Sequence, residues 1–129
     1  MLPANDIEYL NAAAPGHRIS TEGGMICVVI PAFRLPVGLS VQAADLLLRL
    51  FPGYPDIPPD MWWFSPAILG PNGTAIQCTQ LTEIYLGRQW QRWSRHLPPG
   101  QWRSGVDSLE SYLALVRREL DAGSGRAAA

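Results

Sequence analysis

The stretch FPGYPDIPPDMWWFSP, residues 51–66, decides how this chain is read, because five of its sixteen positions are proline. Each proline fixes its own φ, lacks a backbone N–H and pushes the residue before it toward extended geometry, so residues 51–60 continue neither a helix nor a central strand. They form a rigid loop joining two elements. After the loop, residues 61–64 read as a short strand in which adjacent Trp62 and Trp63 face opposite sides, one buried and the other exposed or covered by the chain that follows. Before the loop, GLSVQAADLLLRLF, residues 38–51, carries two patterns. Ala43, Leu46, Leu47 and Leu50 fall at helical spacing, while the second half also reads as a strand ending at Phe51.

Working outward, NDIEYLNAAA at 5–14 predicts a short helix capped by Asn5 or Asp6, with Ile7, Leu10 and Ala14 on one face and Pro15 and Gly16 ending it. GMICVVIP, 24–31, predicts a strand by its β-branched content, paired with HRIST, 17–21, across a turn at Glu22, Gly23 and Gly24. Residues 65–88 show no sustained period and hold the turn formers Pro66, Gly70, Pro71, Asn72 and Gly73. Trp90 and Trp93, three apart, are spaced to share a helical face. The last element is plainer. Asp107 and Glu110 form a capping-box pattern ahead of an apolar stripe of Leu109, Tyr112, Leu113, Val116 and Leu120, predicting a helix over 108–120. The tail DAGSGRAAA, 121–129, is expected to fray.

The 129 residues suit one domain, with a core at about 5–120. A hydrophobic share of 47% with 16% charged residues argues against disorder, and no apolar run reaches membrane-spanning length or resembles an export signal. The expected setting is cytoplasmic. A net charge of −1 gives no reason to expect a nucleic-acid partner, and none at a membrane is expected. Two cysteines, Cys27 and Cys78, make no disulfide framework and read as thiols; with two histidines at unpaired spacing, they supply no metal site either. No phosphate-cradling glycine motif is present, so no cofactor is expected. All ten basic residues are arginine. Genomic base composition accounts for that, as does the handling of an activated acyl group by a chain with no side-chain amine of its own.

Tyr54, Pro55, Pro58 and Pro59 carry a resemblance. The run resembles the tyrosine-proline-x-x-proline-proline loop of ubiquitin-conjugating enzymes, the E2 family, and of their noncatalytic RWD relatives. In that family the loop follows the third strand of a meander, which favours strand over helix for 45–51. A catalytic cysteine follows the loop tyrosine by some two dozen residues, and Cys78 lies 24 residues after Tyr54. Trp102 and the helix behind it look like the family's tryptophan and following helix, with serine and glycine where the family has proline. The stretch 79–101 is longer than its eukaryotic counterpart. With RWSRH at 92–96, the short N-terminal helix and no further C-terminal helices, the chain resembles prokaryotic E2-like proteins that accompany bacterial E1-like and ubiquitin-like partners. The implied fold is α+β: an antiparallel meander packed against a C-terminal helix, with a short N-terminal helix.

The resemblance implies Cys78 as the thioester-forming nucleophile. It also makes Asn72 the counterpart of the family's oxyanion-supporting asparagine, although the accompanying histidine is gone. From the residues themselves, Cys78 between Gln77 and Thr79 suits an exposed thiol, while Cys27 inside ICVVI suits a core position. His96 is a candidate base or cation for tuning the thiol. Arg92, Arg95 and Ser94, with Trp93 and Trp63, are candidates for gripping a partner protein. Asp107 is accounted for as a helix cap, and Asp56 and Asp60 read as loop acids without a nearby histidine. Two functions follow: a conjugating enzyme, or a noncatalytic adaptor binding through its Trp/Arg-rich surface. Implied partners are an E1-like activating enzyme and a ubiquitin-like protein, with a JAB-type peptidase in the same pathway.

Overall fold

The computed structural model describes residues 2–125. The chain opens with α1 (Ala4–Ala13) and then runs through β1 (Arg18–Glu22), β2 (Met25–Arg34), β3 (Ala43–Leu50) and β4 (Trp62–Ser65). A short 3-10 turn at Pro71–Gly73 leads to β5 (Thr82–Tyr85) and β6 (Arg88–Trp93), and α2 (Leu109–Gly123) closes the fold. The six strands form one antiparallel sheet in the order β1-β2-β3-β4-β6-β5. The first four are a meander, and β5–β6 is a hairpin whose second strand lies against β4. Gly23 and Gly24 turn β1 into β2 at φ 60° and 78°, values that cost glycine nothing.

Period-2 alternation sorts the sheet into two cores. Val28, Leu46, Leu48, Leu50, Trp62, Phe64 and Trp93 face α1 and α2, meeting Leu10 and the α2 stripe Leu109, Tyr112, Leu113, Val116 and Leu120. On the other face Cys27, Val29, Leu47, Trp63 and Trp90 form a smaller core, with Tyr85 and Leu86 packed against it. The β5–β6 turn closes over that face. Leu86 N donates to both carboxylate oxygens of Glu22, at 3.1 Å each, bringing the hairpin turn next to the opposite edge of the sheet. The Arg49 guanidinium lies 3.8 Å from the centre of the Tyr85 ring, roofing the same core.

The run 38–51 is a strand from Ala43, and its helical spacing loses because the alternate leucines are divided between the two cores. Trp62 and Trp63 face opposite ways as expected, Trp62 toward the helices and Trp63 covered by Tyr85 and Leu86 of the chain that follows. Trp90 and Trp93 do not share a helical face. They lie on β6, so a spacing of three places one ring in each core. The stretch expected to be irregular and then an insertion contains this hairpin, which completes the sheet.

Both helix caps also differ from expectation. α1 begins after Pro3, whose carbonyl accepts from the backbone N–H groups of Asp6 and Ile7. Asp6 is therefore inside the first turn and buried, where its carboxylate accepts from the Tyr54 hydroxyl at 2.7 Å and from Leu109 N at 3.0 Å. Ser108 is the residue that caps α2, paired with Ser111, and Asp107 instead accepts from Arg103 N. The carboxylate nearest the first N–H of α2 comes from a distant helix, which local spacing does not reveal. Asp121–Gly123 continue α2 and Ser124 is buried, so this part of the expected tail is packed. Residues 126–129 lie outside the described residues.

Candidate functional site

Cys78 sits in a turn between Ile76 and Thr79 and is exposed. Its φ is 59°, the left-handed region that non-glycine residues enter only under local constraint. The constraint is visible. Thr79 Oγ1 and Gln80 Nε2 both donate back to Ile76 O, at 2.7 and 3.1 Å. Ser94 N donates to Cys78 O at 3.0 Å, continuing the pairing on the β5 side of β6 beyond its last residue. Arg95 Nη1 donates to Gln77 O at 3.0 Å, and its Nε meets Glu119 of α2 at 2.6 Å. The cysteine turn is thus fastened to the end of β6, and through Arg95 to the C-terminal helix. A cleft of about 340 Å³ runs beside it, lined by Gly70, Thr74, Gln77, Arg95, Glu119 and Gly123.

Cys27 provides the contrast. It is fully buried in the smaller core, and burial raises its thiol pKa above the ordinary value, with the nearby Arg49 only partly opposing this. A thiol held neutral and without solvent access is a poor nucleophile.

The remaining site residues are scattered more widely than the sequence suggested. Asn72 is exposed on the 3-10 turn at φ 58°, and no hydrogen bond joins its carboxamide to Cys78 or to any other described residue. His96 does not bond to Cys78 either: its Nδ1 lies 2.6 Å from Asp60 Oδ1. Asp60 is therefore not a loop acid without a histidine, because the β4–β6 pairing draws the two together across 36 positions. Burial, and then the charge of Asp60, push the Tyr112 phenol well above its ordinary range, and that hydroxyl donates to Met61 O.

Trp63 and Trp93, expected at a binding surface, are both inside. Trp63 Nε1 donates to Glu83, and Trp93 Nε1 to the buried Gln91. Arg92 is paired with Glu83, and Arg95 with Glu119. The rings of the expected Trp/Arg surface are turned inward, because alternation along β4 and β6 gives each a core to enter. In the proline loop Tyr54 reaches out to Asp6, and the loop is crossed instead by Trp102, whose Nε1 donates to Pro55 O at 2.8 Å. Among the described residues no group of three His, Cys, Asp or Glu side chains is placed to hold a metal ion. No helix among them is long and apolar enough to cross a membrane.

The curled antiparallel sheet flanked by a short N-terminal and a longer C-terminal helix, with the proline loop after β3, is consistent with an E2-like fold. The family model of prokaryotic E2 family E matches residues 2–123, nearly the whole chain. The chain belongs to prokaryotic E2 family E. No curated protein and no solved structure matches it. Membership in prokaryotic E2 family E ties the chain to conjugation chemistry and its partners in general.

Asp60 and Glu119 are the neighbours of the site that sequence reasoning missed. Each acts through a partner far along the chain, so only a correct pairing of β6 could have found them. The signal for that pairing was present in TEIY-LG-RQWQRW, a two-residue turn between alternating segments. Leu86 and Gly87 adopt φ of 54° and 75° there, but leucine at the first turn position hides the usual asparagine or aspartate signature.

Proposed function

We propose that this chain is an E2-type carrier: Cys78 accepts the C-terminal acyl group of a ubiquitin-like protein from an E1-like enzyme and passes it to an amine. In the first step the Cys78 thiolate attacks the E1-bound thioester carbonyl. The new Sγ–C bond forms as the E1 C–S bond breaks, and the proton released on ionising Cys78 ends on the departing thiol. ATP is consumed by the E1-like enzyme. A JAB-type peptidase belongs to the same proposed pathway. Asn72 is the candidate donor for the oxyanion formed during attack, and His96 the candidate for proton movement.

The observation that carries this reading is the contrast between the two thiols, one exposed in a left-handed turn held at both ends and one sealed in the core. A noncatalytic adaptor would need a reason for that turn, and its binding surface would lack the rings of Trp63 and Trp93, which are buried. Intact mass under nonreducing conditions tests the proposal, after mixing the chain with an E1-like enzyme, a ubiquitin-like protein and ATP. A thiol-sensitive adduct that persists in Cys27→Ser and vanishes in Cys78→Ala is expected, with Cys78→Ser trapping a thiol-resistant ester. If the E1-like enzyme is demonstrably charged and the parent chain forms no adduct, the adaptor reading replaces this one.

A further inference from the structure

Of the two histidines, His17 turns its Nδ1 to the Ala14 carbonyl, whereas His96 faces a carboxylate. Against a carboxylate Nδ1 of His96 is the donor of their 2.6 Å contact, and in the neutral ring Nε2 is then the nitrogen that holds the lone pair. The imidazole is 63% exposed, which leaves Nε2 open to something arriving from solvent. The backbone sets where that is. Met61 N donates to Arg95 O at 3.1 Å, and Ser94 N to Cys78 O at 3.0 Å, so residues 94–96 lie between the Asp60 segment and the cysteine turn. Among the polar groups nearby, Arg95 is engaged with Glu119 and Gln77 O, Ser94 Oγ accepts from Arg92, and the Tyr112 hydroxyl donates to Met61 O. A histidine oriented by a carboxylate, two residues along the chain from the one that bonds the cysteine turn and with its second nitrogen free, is arranged as a proton acceptor.

We infer that His96 takes the proton from the amine that attacks the acyl group on Cys78, and that Asp60 is the positioning residue that fixes the ring for this step. The inference rests on the thioester proposed above and concerns its second half. An alkylammonium has no lone pair, and His96 Nε2 removes its first proton. The free amine adds to the thioester carbonyl, the N–C bond forms as the C–S bond breaks, and Cys78 leaves as a thiolate. The second proton from nitrogen passes to that sulfur, restoring the thiol, and His96 returns its proton to solvent. Asp60 touches neither the acyl group nor the amine.

The test bypasses the E1-like enzyme. Cys78 is acylated directly with a short peptide α-thioester ending in Gly-Gly, and discharge is followed by intact mass with either free lysine or hydroxylamine as acceptor. Hydroxylamine is largely unprotonated at neutral pH and needs no base. His96→Ala is expected to slow discharge to lysine about a hundredfold, the scale of general-base catalysis, and Asp60→Ala about tenfold. Asp60→Glu recovers part of the loss, and every variant discharges to hydroxylamine at the parent rate. Across pH, the lysine rate of His96→Ala follows the free-amine fraction, while the parent exceeds it near neutrality. An unchanged lysine rate in His96→Ala overturns the inference, as does an equal loss with both nucleophiles, which would make the pair a structural clamp. An unchanged rate in Asp60→Ala alone removes the role of Asp60. If chemical acylation and selective discharge succeed while the E1-like enzyme fails to load Cys78, the carrier reading fails separately. If the thiol takes no acyl group from the peptide thioester, both fall.

Discussion

Removing the Asp6 carboxylate should be among the most damaging polar substitutions in this fold. Asp6 is 1% exposed and holds two donors, the Tyr54 hydroxyl of the proline loop and the first backbone N–H of α2. In Asp6→Ala both donors remain buried, since Tyr54 is 6% and Leu109 0% exposed; the Tyr54 hydroxyl loses its acceptor, and Leu109 N keeps only its contact with the Tyr54 oxygen. An unsatisfied buried donor costs about 1–3 kcal/mol, and the loss of a helix cap alone about 1 kcal/mol. Relief of the carboxylate's own desolvation returns part of this. The net expectation is about 3 kcal/mol, which for a domain of this size lowers Tm by roughly 10 °C. Urea unfolding with linear extrapolation measures it, with the midpoint moving and the m value staying constant. Asp6→Asn should fall between, because its amide oxygen can serve one donor while its NH2 meets the other. In the double-mutant cycle, Tyr54→Phe and Asp6→Ala share one bond, so the pair should lose about 1 kcal/mol less than the sum of the singles. A loss under about 1 kcal/mol for Asp6→Ala, or strict additivity, would refute the view that this carboxylate joins α1, the proline loop and α2.

Native-state alkylation should modify Cys78 readily and Cys27 only through unfolding, a rate difference of about a hundredfold or more; equal labelling would show that the smaller core is open. Asp45 accepts from Ala32 N and pairs with Arg88, and although burial opposes them these partners hold its carboxyl below the usual range. A depressed folded-state pKa stabilises the protein above the unfolded value near pH 4 and loses that contribution as pH falls further, so Asp45→Asn should flatten the acid limb of a stability–pH curve. If Asp45→Asn leaves that limb unchanged, the Ala32–Asp45–Arg88 link carries no pH-dependent stability. Trp90→Ala empties the centre of the smaller core and should cost about 3–5 kcal/mol by denaturant unfolding, with Cys27 becoming reactive in parallel; a surface-like cost would mean the hairpin does not seal that face. With no lysine in the chain, any thiol-resistant amide adduct it acquires should map by peptide mass to the α-amine, and an adduct elsewhere would contradict amine transfer as the sole outcome.

The two ends of the fold were legible because their signals are local. The α2 stripe from Leu109 to Leu120 follows helical period without interruption, and the Gly23–Gly24 turn marks the first hairpin by composition alone. The middle was not. Residues 43–50 satisfy a helical period and a sheet buried on both faces equally well, since a two-sided strand shows no alternation of polar and apolar residues. The same two-sided burial misled the placing of Trp90 and Trp93. Of the site, the exposed thiol and its buried counterpart could be told apart by their neighbours in sequence. Asp60 with His96, and Arg95 with Glu119, could not, because each contact depends on β6 lying between β4 and β5.

That arrangement of β6 also accounts for where reactive groups remain available. One face of the sheet is filled by the helices, and the other is closed by the hairpin, Arg49 and Tyr85, so the tryptophans of β4 and β6 are consumed by packing. The exposed Cys78 thiol and the outward nitrogen of His96 are left at the end of β6, where the strand runs out between the Asp60 segment and the cysteine turn. Backbone bonds from Met61 and Ser94 fix the spacing of those two segments, and neither bond depends on the identity of residue 78 or 96. Substituting Cys78 or His96 should therefore change chemistry with little change in fold, whereas substituting Arg95, which fastens the turn to α2, should loosen the site without removing any group that the proposed transfer uses.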